Sequence, residues 1–255
     1  MIMTYIINSC TKKQLDFLNN LSAETGIECA NSPPKTGNYL IFSEDKLTLT
    51  ENSTDNITTL NFDFVKMWKY HASQKYKLKN ELFAKALGIK QKTSNRLIVY
   101  DATCGSGKDS VLMLFFGCRV VANERNNVIY SLLLDAHRRL FEYLEEINET
   151  KPDFEIKYVD AKFGLQQVEE KIDIIYCDPM YPNRNTKALP RKEIQIFKNN
   201  IGLDLDRHHL FEWALKQNVK KVIIKRPRKG VDHYGIPTAT YTGKTTCYDM
   251  YFLGR

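Results

Sequence analysis

The sequence lacks the features of metal-binding, secreted and membrane-spanning proteins. Its six cysteines form no C-x-x-C pair, so it predicts neither a zinc site nor a redox dithiol. The N-terminus has no basic region ahead of its short apolar stretch, and no run reaches the roughly 18 apolar residues of a membrane span. Internal repeats and low-complexity tracts are also missing. These absences predict a soluble cytoplasmic protein that binds no metal.

A moderate excess of positive charge is the main feature of the composition. The 255 residues include 37 Lys+Arg and 30 Asp+Glu, which gives a formal net charge of +7. Such an excess fits a polyanionic partner such as nucleic acid, but many basic proteins bind none. Whether this charge indicates nucleic-acid binding therefore depends on where the cations lie relative to the functional residues.

The pattern of apolar residues divides the chain into three predicted parts. Residues 1–65 form a small α+β module, residues 66–95 a basic connecting helical segment, and residues 96–255 a larger domain. Strands alternate with helices in the larger domain, which predicts an α/β fold with a doubly wound, mostly parallel sheet. The predicted strands are 2–7, 39–43, 46–50, 57–64, 97–101, 118–124, 155–160, 172–178, 219–225 and 247–253. The predicted helices are 11–25, 80–87, 109–116, 128–147 and 206–217, with a short one near 164–170.

Carboxylates end four of these strands, at the edge where such a sheet binds its ligand: Asp101, Glu124, Asp160 and Asp178. The first precedes the turn Gly105-Ser-Gly107, whose glycines let the backbone pass close to a ligand. Position 110 is Ser, so the turn is not the G-x-G-x-x-G of dinucleotide sites, and the leading acid would repel phosphate. The turn therefore predicts a cofactor with a cationic amine or sulfonium. Glu124 is predicted to accept hydrogen bonds from ribose hydroxyls, and Asp160 to meet the adenine amine.

The segment Asp178-Pro-Met-Tyr-Pro182 directly follows an apolar strand. Its prolines fix the backbone and remove N–H donors, which leaves carbonyl groups to accept hydrogen bonds. A carboxylate and a rigid carbonyl can hold both hydrogens of an exocyclic base amine, and Tyr181 can stack on the base. Methylation of such an amine is the predicted chemistry, with Asp178, Pro179 and Tyr181 as the candidate catalytic residues.

Three segments, Asp101–Asp109, Cys118–Arg125 and Asp178–Pro182, together resemble class I methyltransferases with a Rossmann-like fold that use S-adenosylmethionine. The last is similar to the D/N-P-P-Y/F signature of amino-methylating members, with Met180 in place of the second proline. From about His71 onward the chain resembles the RsmJ family, which methylates N2 of one guanine in 16S ribosomal RNA. The motifs that carry this closer resemblance are Asp101-Ala-Thr, Gly107-Lys-Asp, Gly117-Cys-Arg-Val, Glu124-Arg-Asn, Asp178-Pro-Met-Tyr-Pro, Lys187-Ala-Leu, Val222-Ile-Ile-Lys-Arg-Pro227 and Tyr248-Asp-Met-Tyr251.

The resemblance implies S-adenosylmethionine as the cofactor and 16S ribosomal RNA, or the small ribosomal subunit, as the partner. The oligomeric state stays open. Together with the glycine turn, the resemblance gives these candidate cofactor-binding residues: Asp101, Gly105, Gly107, Lys108, Asp109, Glu124, Arg125, Asp160, Ala161 and Asp178. Two departures affect these contacts. The family more often has Ala-Gly-Leu-Gly-Arg where this chain has Cys104-Gly-Ser-Gly-Lys108, and a Ser-Ser pair where it has Asp160-Ala161.

Several cations are predicted to emerge at the same edge of the sheet as the candidate catalytic residues. Cations around the mouth of a site fit contacts with RNA phosphates. The candidate RNA-binding residues are Lys187, Arg191, Lys192, Lys225, Arg226 and Arg228.

Two other functions remain open from the sequence. One is amino-methylation of DNA or of another RNA, although no separate DNA-recognition domain is evident. The other is a ribosome-assembly factor that binds RNA without catalysis. The intact Asp178-Pro-Met-Tyr segment argues against that loss of activity.

Overall fold

The computed structural model describes residues 4–7, 11–52, 57–90, 96–181, 206–229 and 233–254. These residues fall into two compact units. The first contains the residues up to Val65 together with Arg125–Glu149, and the second contains Lys66–Glu124 and the described residues from Thr150 onward. These compact units do not test the domain boundaries predicted at residues 65 and 95, which stay a prediction.

Helices and strands alternate along much of the chain. The helices are α1 (Lys12–Thr25), α2 (Phe64–Ser73), α3 (Leu82–Leu87), α4 (Lys108–Phe115), α5 (Asn127–Glu146), α6 (Ala161–Gly164) and α7 (Arg207–Leu215). The strands are β1 (Thr4–Ile7), β2 (Glu28–Ala30), β3 (Gly37–Ser43), β4 (Lys46–Asn52), β5 (Ile57–Leu60), β6 (Ile98–Asp101), β7 (Arg119–Glu124), β8 (Phe154–Tyr158), β9 (Ile174–Cys177), β10 (Lys221–Pro227), β11 (Ala239–Thr242) and β12 (Thr246–Phe252). None of the helices in this described part of the chain is long and apolar enough to cross a membrane.

The first unit is a five-stranded mixed sheet in the order β2-β1-β3-β4-β5, with α1 and α5. Helix α1 begins after Thr11, which forms a capping box with Gln14, and it ends at Gly26 in the left-handed conformation. Asp135 of α5 is fully buried and accepts a hydrogen bond of 3.0 Å from the backbone N–H of Leu47 in β4. A buried carboxylate needs such partners, so this bond ties α5 to the sheet of the first unit.

The second unit is a seven-stranded sheet in the order β11-β12-β10-β9-β6-β7-β8. The five strands from β10 to β8 are parallel, and β12 is antiparallel to both of its neighbours. The core includes Tyr100, Ile175 and Val222, one from each of three adjacent strands and all 0% exposed. The predicted fold class, α/β with a mostly parallel sheet, is therefore confirmed.

The strand order reverses between β6 and β9, because the chain continues from β6 to β7 and β8 on one side and returns to β9 on the other. The two strands pair in register, with Asp101 opposite Tyr176. In a parallel sheet the crevice beyond the carboxyl ends at this reversal is the usual ligand site. Asp101 and Asp178 both lie at this position.

Several local predictions differ from the structure. The strand predicted over 57–64 ends at Leu60, and Phe64 instead begins α2, which was not predicted. In α2 Trp68 and His71 are one helical turn apart and both rings contact Phe115, so tertiary packing stabilises this helix. Strand β11 was also missed because it pairs only with β12 and alternates half-buried with exposed residues.

Candidate active site

Asp101 is the last residue of β6 and is 1% exposed. Its carboxylate accepts hydrogen bonds from the Ser110 hydroxyl at 2.5 Å and from the Thr103 backbone N–H at 3.1 Å. Burial nevertheless raises the pKa of Asp101 to about 7, against an ordinary value of 3.8. The carboxyl group therefore anchors the start of the turn rather than facing solvent.

The glycine turn leads from β6 into α4. Gly105 and Gly107 have positive φ angles of 55° and 72°, which residues with a side chain rarely adopt. Glu124, the last residue of β7 and 8% exposed, accepts a hydrogen bond of 3.2 Å from the backbone N–H of Gly105. The glycine turn and the acid that ends β7 are therefore in direct contact in the structure. Lys108, at the start of α4, is exposed.

Asp160 does not end a strand, contrary to the prediction. Strand β8 ends at Tyr158, and Asp160 is the N-cap of α6, where its carboxylate accepts the Lys162 backbone N–H at 2.9 Å. Aspartate favours this position because its side chain satisfies an unpaired N–H of the first helical turn. Ala161 is buried and its carbonyl accepts a hydrogen bond of 2.6 Å from Tyr100. Arg125, another predicted cofactor contact, is exposed.

A lysine between two carboxylates is the centre of the candidate site. The Lys225 ammonium lies 2.6 Å from Asp109 and 2.9 Å from Asp178. The Tyr176 hydroxyl donates a hydrogen bond of 2.5 Å to the same Asp109 oxygen. Lys225 was predicted to contact RNA, but the structure pairs its charge with two acids of the site.

The environment of Asp178 shifts its pKa to about 6. Burial is the largest cause and raises the pKa, the Lys225 cation lowers it, and the Asp109 carboxylate raises it again. The Asp178 side chain remains 32% exposed, so it is open to a substrate. A carboxylate of this kind is partly protonated at pH 6 and mostly ionised at neutral pH.

The backbone after β9 is held at both ends of the predicted catalytic segment. The Asp178 N–H donates a hydrogen bond of 2.6 Å to the Thr103 hydroxyl, and Pro179 is buried. The Tyr181 hydroxyl donates a hydrogen bond of 2.9 Å to the Lys225 carbonyl, and the Arg207 guanidinium lies 6.0 Å from the centre of its ring. The three predicted catalytic residues therefore form one fixed segment beside Lys225.

The remaining predicted RNA-binding residues have different environments. Lys187, Arg191 and Lys192 lie outside the described residues. Arg226 is 7% exposed and its guanidinium lies 2.6 Å from the fully buried Asp249, so it stabilises the sheet interior and is a poor candidate for RNA contact. Arg228 is exposed just after β10.

Sequence reasoning missed the roles of Thr103, Tyr176 and Lys225 in this site. Tyr176 and Asp178 lie on either side of Cys177, and Thr103 follows Asp101 by two residues. Their positions near the strand ends could therefore be predicted from the sequence. The contacts themselves could not be predicted, because they join the turn after β6, helix α4, the end of β9 and strand β10, which are far apart in the chain.

The chemistry of these groups fits S-adenosylmethionine better than a nucleotide with a pyrophosphate. Asp109, Glu124 and Asp178 are arranged around the glycine turn, and carboxylates favour the sulfonium and ammonium of this cofactor while repelling phosphate. Within the described ranges, no group of three or more His, Cys, Asp or Glu residues is arranged to hold a metal ion.

Comparison with known proteins agrees with this chemistry. The family model SAM_MT, for SAM-dependent methyltransferases, matches residues 22–253. A protein of Shewanella sp. (strain ANA-3) named ribosomal RNA small subunit methyltransferase J is 30% identical over 83% of this chain and 81% of its own length. The protein of that name in Shewanella amazonensis is 32% identical over 83% of this chain and 85% of its own length. The chain belongs to the RsmJ family of SAM-dependent methyltransferases.

One solved structure is similar to this protein over almost the whole length of the chain. The SAM-dependent methyltransferase NGO1261 from Neisseria gonorrhoeae is 26% identical, with a TM-score of 0.70 over 98% of this chain and 95% of its own. The resemblance noted in the sequence is thus confirmed, and S-adenosylmethionine is the cofactor of the family.

Proposed function

We propose that the protein methylates the exocyclic N2 amine of a guanine in small-subunit (16S) ribosomal RNA. The substrate class follows from the names of its relatives in Shewanella. The amine as target follows from the Asp178-Pro179 segment, and the N2 position from the resemblance to the RsmJ family. A ribosomal RNA substrate would also fit the predicted cytoplasmic location.

The observation that best supports the proposal is the position of Asp178. It follows β9 at the reversal of strand order, its backbone is bonded to Thr103 of the turn after β6, and its carboxylate is paired with Lys225. The acceptor for an amine is thus fixed next to the turn that is expected to hold the cofactor.

When bound, S-adenosylmethionine would supply a methyl group attached to a positively charged sulfur, and that sulfur would keep the electron pair of the broken S–C bond as a neutral thioether. The guanine nitrogen would form the new N–C bond, become positively charged and then lose one of its protons to the hydrogen-bonded Asp178 carboxylate or to water beside it. In our proposal the Asp178 carboxylate and the carbonyl of Asp178 or Pro179 accept the two amine hydrogens. These acceptors favour a pyramidal nitrogen whose lone pair faces the methyl group, and they stabilise the developing positive charge.

Lys225 has a positioning role in this proposal. Its cation lowers the pKa of Asp178 against the effects of burial and of Asp109. It therefore keeps the Asp178 carboxylate ionised at neutral pH and fixes its orientation through the 2.9 Å pair. Lys225 is itself held on the other side by Asp109 at 2.6 Å.

The remaining predicted contacts form one proposed cofactor and base site. Glu124 would accept ribose hydroxyls, since a carboxylate can accept hydrogen bonds in addition to the one from Gly105. Asp160, as the cap of α6, would approach the adenine. Tyr181, whose ring is held by its bond to Lys225, would stack on the guanine.

Methyl transfer from tritium-labelled S-adenosylmethionine tests the function directly. The substrates are naked 16S ribosomal RNA, isolated small subunits and duplex DNA, and Asp178→Ala is the control for catalysis by this site. Digestion of the labelled RNA to nucleosides and mass spectrometry should give N2-methylguanosine. Label in DNA or in another nucleoside would contradict the proposed substrate, and RNA binding without any transfer would indicate a non-catalytic assembly factor.

A further inference from the structure

The segment that precedes the larger predicted domain is uneven in charge: residues 64–80 contain five lysines and no carboxylate. Three of them, Lys75, Lys77 and Lys79, follow α2 on alternate positions and all three are exposed. We call these three residues the basic track. Its nearest acid along the chain is Glu81, which begins the turn into α3 and is half-buried.

Aromatic packing holds the start of the basic track against the end of α4. The Tyr76 ring lies 5.5 Å from Phe116 and 6.0 Å from Phe115, and its hydroxyl is 2.8 Å from the His71 ring nitrogen. Tyr76 is half-buried, whereas its neighbours Lys75 and Lys77 are exposed. The cations are thus presented from a fixed backbone.

The far end of the basic track approaches the edge of the sheet that carries Asp178. Leu82, three residues after Lys79, would lie 3.3 Å from a methyl group on Gly243, in the turn between β11 and β12. The next residue in that turn, Lys244, is exposed, and Thr245 accepts the backbone N–H of the exposed Arg228 at 2.8 Å. Arg228 itself follows Lys225 by three residues. Exposed cations therefore lie between the basic track and the carboxyl edge of the sheet, at Lys244 and Arg228.

We propose that the basic track binds the sugar–phosphate backbone of the RNA that flanks the methylated base. This proposal rests on the proposed function and adds a surface that the candidate RNA-binding residues do not include. Exposed lysines on a fixed backbone neutralise phosphates without reading sequence, and an approach to the catalytic edge would let one strand contact both surfaces.

The test compares two triple variants that lose the same charge. The first is Lys75→Gln, Lys77→Gln, Lys79→Gln. The control is Lys12→Gln, Lys35→Gln, Lys171→Gln, three exposed lysines located elsewhere. Fluorescence anisotropy measures affinity for a fragment of small-subunit ribosomal RNA over a range of salt concentrations, and calorimetry measures affinity for S-adenosylmethionine.

We expect the basic-track variant to lose at least tenfold in RNA affinity at about 0.1 M salt, and its plot of log affinity against log salt to flatten by about two units. Cofactor affinity and the RNA affinity of the control should match the wild type. Equal RNA affinity and slope in the two triple variants would overturn the proposal, as would a loss seen with duplex DNA but not with RNA. Failure of the wild type to methylate ribosomal RNA would instead contradict the proposed function, and the methyl-transfer assay tests this separately.

Discussion

The ammonium of Lys225 lies 2.9 Å from the carboxylate of Asp178 and joins β10 to the residue that follows β9. The same ammonium contacts Asp109 at the start of α4, so one cation links three elements of the second unit. Burial alone would raise the pKa of Asp178 further, and this cation opposes the rise. The ion pair therefore controls the charge of the residue that we propose to hold the target amine.

Removing that cation should change the pH dependence of methyl transfer. In Lys225→Met the pKa of Asp178 should rise, because the group that lowers it is lost while Asp109 remains. If the ionised carboxylate is needed, the wild-type rate should fall as the pH is lowered through about 6, and this acid limb should move up by about one pH unit or more in the variant. Single-turnover rates at saturating cofactor from pH 5 to 8.5 measure the shift.

Lys225→Arg is the matched variant, since it keeps a cation beside Asp178 and should keep the acid limb near its wild-type position. A purely structural role for Lys225 would lower the rate equally at every pH. An unmoved limb in folded Lys225→Met would exclude the electrostatic role.

Glu124 should matter for cofactor affinity. Replacement by Ala removes the acceptor of the Gly105 N–H and the proposed acceptor of the ribose hydroxyls. The loss should be about 1.5–3 kcal/mol, or roughly 10- to 150-fold in the dissociation constant for S-adenosylmethionine. Calorimetric titration measures it, and Glu169→Ala, at an exposed acid of the same unit, is the control. Wild-type affinity in folded Glu124→Ala would remove Glu124 from the proposed site.

Most of the second unit could be predicted because its parallel strands are buried on both faces and appear as short apolar runs. The strands ending at Asp101 and Glu124 were predicted to within a residue or two. Helix α2 and strand β11 could not be predicted in this way. Helix α2 depends on contact with Phe115 of α4, which is far away in the sequence. Strand β11 lies at the edge of the sheet and pairs only with β12.

The candidate site shows a similar division between what sequence pattern can and cannot predict. The acids at strand ends follow from the rule that parallel strands present their carboxyl ends at one edge. The partners of the cations do not follow from it. Lys225 and Arg226 are adjacent, and alternation along β10 sends one to Asp178 and the other to the buried Asp249. Only the positions of the partner strands decide which acid each one meets.

Asp101 should give the folded protein a measurable dependence on pH. Its pKa is raised to about 7, so the folded chain keeps a proton that the unfolded chain loses above about pH 4. The contribution of Asp101 to stability therefore falls as the pH rises through this window. Asp101→Asn carries no charge and keeps a polar group for Ser110 and Thr103. Relative to the wild type, its free energy of unfolding should increase between pH 5 and pH 8 by on the order of 2 kcal/mol.

Urea unfolding at the two pH values measures this change, and Asp16→Asn, at an exposed aspartate, is the control. A difference between Asp101→Asn and wild type that stays constant from pH 5 to pH 8 would show that Asp101 is ionised throughout.

Asp178 should affect turnover far more than RNA binding. The carboxylate interacts most strongly as positive charge develops on the attacking nitrogen, so its loss should appear in the rate rather than in ground-state affinity. We expect the single-turnover rate of Asp178→Ala to fall by about 100-fold or more at saturating S-adenosylmethionine. Asp178→Asn keeps an oxygen acceptor but cannot form the ion pair with Lys225, so it should retain part of the activity. RNA affinity, measured by anisotropy, should change by less than about threefold in both variants. The proposed role is falsified if folded, cofactor-saturated Asp178→Ala methylates its RNA at near wild-type rates.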